Sequence, residues 1–349
     1  MADSKSIKAA VLGASGYTGA DLIRLAARHP AIKILALVAK GHAGQALAQV
    51  FPHLAGLDVL KLVTPDEVDW SAVDVAFCGL PHGTAHGEIK KLPPRARIID
   101  MSADFRLRDP AVYAAWYGGE HGATELLGEA VYGLTEHYRD EIRGARLVAC
   151  PGCYPTAVLL ALAPLAKAKL IATADIIIDA KSGLSGAGRT LKQNILFSEA
   201  GEGLSPYGIG NHRHVPEIEQ ELGLAAGADV SVNFTPHLVP MSRGELCTSY
   251  VRLESKSTAA DLRKALEDAY RQSPFVHVVE EGVIPATQHV RGSNFCHIGV
   301  FADRLPGRAI VISVIDNLVK GSAGQALQNF NLMFGFDETL ALEQLPLFP

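Results

Sequence analysis

Ile7-Lys8-Ala9-Ala10-Val11-Leu12-Gly13-Ala14-Ser15-Gly16-Tyr17-Thr18-Gly19 carries an apolar, strand-like run into a glycine-punctuated turn, and Ala20 to Arg28 continues as a helix-like stretch. Ile32 to Val38 is a second strand-like run. Strand, glycine turn, helix and strand make the βαβ unit of a doubly wound parallel sheet. Small residues at Gly13, Ser15, Gly16 and Gly19 let the backbone approach a pyrophosphate, whose charge the helix N-terminus meets. The G-x-x-G-x-x-G spacing departs from the usual G-x-G-x-x-G fingerprint, so a plain tight turn is the competing reading. The second strand ends in Ala39-Lys40-Gly41-His42, a cation with no carboxylate. Asp or Glu usually holds the ribose of NAD there, so Lys40 favours the extra phosphate of NADP, or is a solvated surface residue.

Outward from this unit, Val73 to Phe77, Arg97 to Asp100 and Ala145 to Ala149 read as further buried strands of the same sheet, which ends near Cys150. The second half changes character. Ile176 to Ala180, Val230 to Phe234, Leu246 to Leu253, His297 to Ala302 and Ala309 to Ile315 are strand-like. Helices there are fewer, Ala157 to Lys167 and Thr258 to Arg271 among them, which suits an α+β domain with a mixed sheet. Lys320 to Leu332 is again helical and is expected to pack back onto the first domain. With 349 residues, two domains are the default. The expected division is 1–150 with a returning tail 318–349, and 151–317 for the second domain.

Hydrophobic residues at 48% and charged residues at 20% suit a soluble globular chain. A formal net charge of −5 argues against a general nucleic-acid binder. No apolar run is long enough to span a bilayer, and the first residues lack the apolar core of a signal peptide. Five cysteines, an odd number, do not suggest a disulfide scaffold, and a reducing cytoplasm is the expected setting.

Chemistry concentrates at Cys150-Pro151-Gly152-Cys153-Tyr154-Pro155-Thr156, where a strand-like run breaks and a helix begins. A thiol at a helix start lies near unpaired backbone N–H groups and the positive end of the dipole, which favours the nucleophilic thiolate. Cys153 is nearer the helix start than Cys150 and is the better nucleophile. The C-x-x-C spacing leaves open a redox pair, half of a zinc site, or two ordinary buried thiols. No further ligands stand at zinc spacing, and no metal is expected. A thiol nucleophile needs an acid–base partner. Asn211-His212-Arg213-His214-Val215-Pro216-Glu217 offers His212 and His214 at alternate positions, and their spacing does not separate the two roles. Lys181 to Arg189 is a small-residue loop whose amides can form an anion nest. Arg106 and Arg243 add cations in loop contexts, and together these groups hint at an anionic substrate.

In order and spacing these stretches, with Asp100 to Leu107, Lys181-Ser182-Gly183 and Asp316-Asn317-Leu318-Val319-Lys320-Gly321, resemble the N-acetyl-gamma-glutamyl-phosphate reductase family over nearly the whole chain. That family is related to the aspartate-semialdehyde dehydrogenases and more distantly to the glyceraldehyde-phosphate dehydrogenases. The resemblance implies a Rossmann-type NADP domain and an α+β mixed-sheet domain for substrate and dimerisation. It further implies Cys153 as nucleophile and His212 as the acid–base histidine, with His214 adjacent. Cofactor contacts are implied at Gly13, Ser15, Gly16, Tyr17, Thr18, Gly19, Ser182, Gly183 and Asn317. Arg106, Ser185 and Arg243 are candidate substrate contacts.

The implied reaction is NADPH-dependent reduction of an acyl phosphate to a semialdehyde through a cysteine thioester, in arginine synthesis. The implied partners are a small acyl phosphate and phosphate, in a homodimer or homotetramer. A carrier-protein-linked aminoadipyl or glutamyl phosphate reductase would share the motifs, but no basic run here suits an acidic carrier. A non-catalytic NADP-binding sensor is a further alternative, against which Cys153 and the histidine pair argue.

Overall fold

The structure is a computed structural model describing residues 6–57, 60–254 and 256–349. By its contacts the chain forms two compact units, Met1–Pro151 with Ser322–Glu343, and Gly152–Gly321 with Gln344–Pro349.

The first unit holds strands β1 Ile7–Leu12, β2 Ile32–Val38, β3 Leu62–Val63, β4 Val75–Cys78, β5 Arg97–Asp100, β6 Ala130–Tyr132 and β7 Leu147–Ala149. They form a seven-stranded sheet in the order β3-β2-β1-β4-β5-β7-β6, every pair parallel. Such a sheet is covered on both faces, so its central strands read as continuous apolar runs. Ala9 to Leu12 and Val75 to Cys78 are accordingly buried. The fourth strand begins at Val75, not Val73, because the Val73 N–H closes a short turn onto the Trp70 carbonyl at 3.2 Å.

The first helix spans Tyr17–Ala26 and starts three residues before the helix-like stretch in the sequence. Gly16 is extended at its cap, which places Tyr17, Thr18 and Gly19 in the first turn. The late helix Gly324–Met333, entirely buried, packs on the first helix and on Thr135–Gly144 within this unit. A π turn over Val319–Ala323 precedes it, so Lys320 to Leu332 is not one regular helix.

The second unit holds β8 Ile176–Gly183, β9 Ser205–Pro206, β10 Val232–Val239, β11 Glu245–Arg252, β12 Val276–Val278, β13 Cys296–Ala302 and β14 Arg308–Ile315. They form a mixed sheet in the order β12-β13-β14-β11-β8-β10-β9. β8 with β10 and β12 with β13 are parallel, and the remaining pairs are antiparallel. Strand β11 alternates buried and half-buried positions, as a sheet with one covered face requires. The cover is the apolar helix Cys153–Lys167, which packs on β11, β14 and the helix Val215–Ala226.

Candidate active site

In the first unit, Gly13 has φ +82°, a left-handed backbone that glycine adopts without cost. A Cβ there would stand 2.3 Å from the Gly79 carbonyl oxygen, and one on Gly19 would stand 2.5 Å from the Gly13 oxygen. The turn is thus held against the next strand's end, with the start of helix Tyr17–Ala26 directly behind it. That is a backbone cradle suited to a pyrophosphate. Beyond the second strand, Lys40 lines a cavity of about 390 Å³ with Leu12, Trp70, Glu88 and Lys91. Glu88 bridges Lys40 at 3.2 Å and Lys91 at 3.4 Å. Two ammonium groups beside an indole offer charge and a stacking face to a phosphorylated adenosine.

Arg106 also belongs to the first unit and is buried. Its Nε donates to the Cys150 carbonyl at 2.8 Å and one terminal nitrogen donates to the Met101 carbonyl at 3.2 Å. The surrounding Asp100 to Leu107 segment folds on its own carboxylates. Asp100 accepts from the Ser102 N–H and hydroxyl, and Asp104 accepts from Gly83 N–H and the Tyr113 hydroxyl. Cys150 is buried too, and burial pushes its thiol up to about 12, partly offset by the Asn329 amide. That is the reverse of what a resolving redox cysteine needs.

Cys153 is the first residue of the fifteen-residue helix Cys153–Lys167 in the second unit. All five cysteines are free thiols. Four of them are buried, and only Cys153 is partly open. Gly152 caps the helix in an extended conformation, and its N–H donates to the buried Glu217 carboxylate at 2.9 Å. A Cβ at Gly152 would stand 2.4 Å from His214 Nε2, so the cap is a glycine because the imidazole lies against it.

His212 and His214 are brought together, ring centroids 4.8 Å apart. His212 Nδ1 accepts the His214 N–H at 3.2 Å, so a neutral His212 carries its proton on Nε2. Tyr154, Tyr207 and Phe234 surround that ring. Burial, reinforced by the Arg213 charge, pushes its pKa down to about 4. His212 is therefore a neutral hydrogen-bond donor near neutral pH.

The anion-site candidates of the second unit also converge. Asn317 accepts from the Gly244 N–H at 2.9 Å and donates to the Ser185 hydroxyl at 2.9 Å. Arg243, next in sequence, pairs with buried Asp316 at 3.5 Å. Ser182 and Gly183 end β8 in the same corner, where a Cβ on Gly183 would stand 2.8 Å from the Met241 oxygen. The ammonium of Lys181, at the mouth of this loop, is paired with Asp179. Among the described residues no three His, Cys, Asp or Glu side chains converge as metal ligands.

Two carboxylates of this corner escape sequence reasoning. Glu217 reaches Gly152 across 65 positions of sequence, and only its place in the first turn after His214 hints at a capping role. Glu245 opens β11 on the strand's buried face, with Cys247, Ser249 and Val251 following at period two. That alternation, extended back by one residue, was the available signal.

Residues 8–145 match the semialdehyde dehydrogenase NAD binding domain, and residues 153–317 match the semialdehyde dehydrogenase dimerisation domain. The N-acetyl-gamma-glutamyl-phosphate reductase of Rhodospirillum rubrum is 59% identical over 99% of this chain and all of its own length. The chain belongs to the N-acetyl-gamma-glutamyl-phosphate reductase family. It is an oxidoreductase built from a Rossmann-type NAD(P)-binding domain and a mixed-sheet domain. A probable chloroplastic member from Arabidopsis thaliana is 55% identical over 99% of this chain and 86% of that protein. Among solved structures, aspartate semialdehyde dehydrogenase II of Vibrio cholerae superposes with a TM-score of 0.72 at 18% identity, covering 95% of this chain and 99% of that one. The Candida albicans aspartate semialdehyde dehydrogenase, solved with NADP, gives 0.69 at 17% identity over 95% of this chain. These two likenesses concern the fold. No helix among the described residues is long and apolar enough to cross a membrane.

Proposed function

We propose that Cys153 carries the family's reaction in this chain, the NADPH-dependent conversion of N-acetyl-L-glutamyl 5-phosphate to N-acetyl-L-glutamate 5-semialdehyde and phosphate. The observation that supports this most is the state of the thiols. One of five is open, and it sits on the first turn of a long helix, next to a glycine cap that lies against His214.

The sulfur of Cys153 attacks the acyl carbon as its S–H proton passes to the His212 and His214 pair, and phosphate takes one proton from solvent to depart as hydrogen phosphate. Backbone N–H groups at the helix start lower the energy of the negative charge that develops on the carbonyl oxygen. The thioester left on Cys153 is more electrophilic than a carboxylate and already carries a good leaving group. NADPH, when bound, supplies hydride to that carbonyl. His212, neutral with its proton on Nε2, donates a hydrogen bond that polarises the carbonyl, and His214 holds the Gly152 side of the pocket. The Gly13 to Gly19 turn takes the cofactor's pyrophosphate, with Lys40 and Lys91 on its extra phosphate. Ser182, Gly183 and Asn317 hold the nicotinamide end. Ser185 and Arg243 face the substrate's anionic groups, and Arg106 acts from its brace under Cys150.

We infer assembly as a homodimer or homotetramer, a reading that the dimerisation-domain match supports. It is supported by the bare apolar side chains of the second unit, Leu191 at 88% and Phe197 at 91% exposed. Five free thiols suit the reducing cytoplasm.

The test is NADP reduction followed by absorbance, with the semialdehyde and inorganic phosphate, for wild type and Cys153→Ser. Phosphate-dependent turnover that vanishes in the variant, with NADP binding kept, is the expected result. Near-normal turnover in Cys153→Ser would end the covalent reading.

A further inference from the structure

The cavity beyond β2 holds a carboxylate where an incoming phosphate group needs cations. Lys40 follows β2, Trp70 precedes β4, and Glu88 and Lys91 stand in and just after the helix Ala85–Ile89, all within the first unit. Trp70 is fixed by its indole N–H, which donates to the Pro65 carbonyl at 3.1 Å. The Glu88 side chain is 19% exposed, and each of its oxygens faces one ammonium, Oε1 that of Lys40 and Oε2 that of Lys91. Both lysine side chains are 70% exposed, so Glu88 is the inner member of the triad and the lysines are its movable outer members.

Burial alone would raise the Glu88 carboxyl pKa, but the ammoniums of Lys40 and Lys91 outweigh it and hold the group below the ordinary glutamate value. Glu88 is therefore charged near neutral pH, and the triad's two cations and one anion leave a balance of +1. Among the neighbouring charges, Lys90 is paired with Glu125 at 2.7 Å. Glu67 accepts from the Thr64 N–H and Asp69 from the Ser71 N–H. Asp66 lines the cavity from an exposed position.

Lys40 and Lys91 can pair with a phosphate dianion only by loosening from Glu88, whereas neutral ribose hydroxyls make no such demand. A carboxylate is in fact the usual acceptor for those hydroxyls in NAD sites, where it comes from the end of the second strand. Here the acid comes from a later helix. The same group thus competes with the phosphate of one cofactor and suits the ribose of the other.

We propose that Glu88 is a specificity-determining residue, one that limits how strongly the site prefers NADPH over NADH. This rests on the cavity being the seat of the cofactor's extra phosphate. The consequence for the reaction is release. The chain must let oxidised cofactor go in every cycle, and among variants of one interface affinity differences lie mostly in the dissociation rate. Two ammoniums with no competitor would hold the phosphate longer, and Glu88 takes them back.

The test is direct binding, read from the nicotinamide fluorescence of NADPH and of NADH titrated into wild type and Glu88→Gln, which keeps the shape and removes the charge. The quantity compared is the NADH Kd divided by the NADPH Kd. An exposed unit charge acting on a phosphate dianion is worth about fivefold in affinity, so at low salt the variant should raise the ratio about fivefold by tightening NADPH. Near ~1 M salt, where charges are screened within a few ångströms, the two proteins should converge. A ratio within twofold of wild type at low salt, a lower ratio, or a rise that salt leaves undiminished overturns the proposal. Stopped-flow displacement of NADPH should slow by a similar factor in the variant, and an unchanged rate overturns the role in release. Lys40→Met and Lys91→Met keep the two readings apart, since each should lower the ratio severalfold. If neither moves it, the phosphate lies elsewhere, and the cavity reading falls together with the proposal for Glu88.

Discussion

Gly152→Ala tests the geometry of the active corner most directly. The glycine's own backbone, φ −64° and ψ 158°, is extended and open to alanine, so no conformational strain is introduced. The added methyl instead lands 2.4 Å from His214 Nε2 and 2.7 to 2.8 Å from the adjoining ring carbons. Carbon and nitrogen meet comfortably at about 3.5 Å, so roughly 1 Å of overlap must be relieved. The imidazole is the movable party, because Gly152 is tied to Glu217 and to the start of a buried helix. Overpacking of this kind costs about 1–3 kcal/mol.

The expected result is a lower urea midpoint together with a loss of turnover on the order of tenfold or more, since His214 is driven off the nucleophile's helix start. His214→Ala in the same background removes the clash. The double variant should therefore recover at least ~1 kcal/mol relative to the sum of the single effects, while staying impaired in turnover. Urea unfolding of the four proteins, run beside the phosphate-dependent NADP assay, measures both. Additive stabilities, or a Gly152→Ala enzyme with wild-type midpoint and rate, would refute the placement of His214 against the cap.

His212→Asn is expected to cut turnover more than His214→Asn, and the opposite ranking in steady-state assays would exchange the two roles. Gly13→Ala should abolish NADPH binding and destabilise the first unit by more than ~2 kcal/mol, because its Cβ meets backbone at 2.3 Å with φ at +82°. A fluorescence titration returning the wild-type Kd would contradict this. His212 also predicts an acid limb of stability. Its folded pKa, about 4, lies below the unfolded value of 6.5. The stability is thus present above pH 6.5 and is lost as pH falls toward 4, by about 3 kcal/mol in full and about 2 by pH ~5. His212→Asn should flatten the drop in urea midpoint between pH ~7 and ~5, and an undiminished drop would assign the acid sensitivity elsewhere.

Much of the fold was legible because the parallel sheet buries both faces of its strands. Ile7–Leu12, Ile32–Val38 and Arg97–Asp100 begin and end where the apolar runs do. The strands Leu62–Val63, Ala130–Tyr132, Ser205–Pro206 and Val276–Val278, two or three residues each, show no period of their own, whereas the equally short Leu147–Ala149 lies in a longer apolar run and is legible. At the candidate site, Cys153 and the histidines stood out because glycine, proline and alternate spacing mark them locally. Glu217 was in view as part of a motif, but its partner is 65 residues away and no local pattern reports such a contact. Glu245 failed for a different reason. A charged residue at the head of an apolar strand reads as loop, so the apolar run starts at Leu246, one residue after the strand does. The structure buries that one residue completely, at the head of the sheet's central strand.

An imidazolium partner would stabilise the thiolate by charge, but His212 is enclosed by three aromatic rings and next to Arg213, and burying a cation there is unfavourable. The buried Glu245 carboxyl of the second unit carries a cost of its own that can be read in stability. An acid with a folded pKa of about 8 against 4.5 unfolded favours the fold fully below pH 4.5, and that preference is lost as pH rises through 8. The difference is about 5 kcal/mol at the most, so Glu245→Gln should resist urea better than wild type near pH ~9. A variant with a lower urea midpoint than wild type at that pH would show that the carboxyl holds the sheet together in its charged form as well.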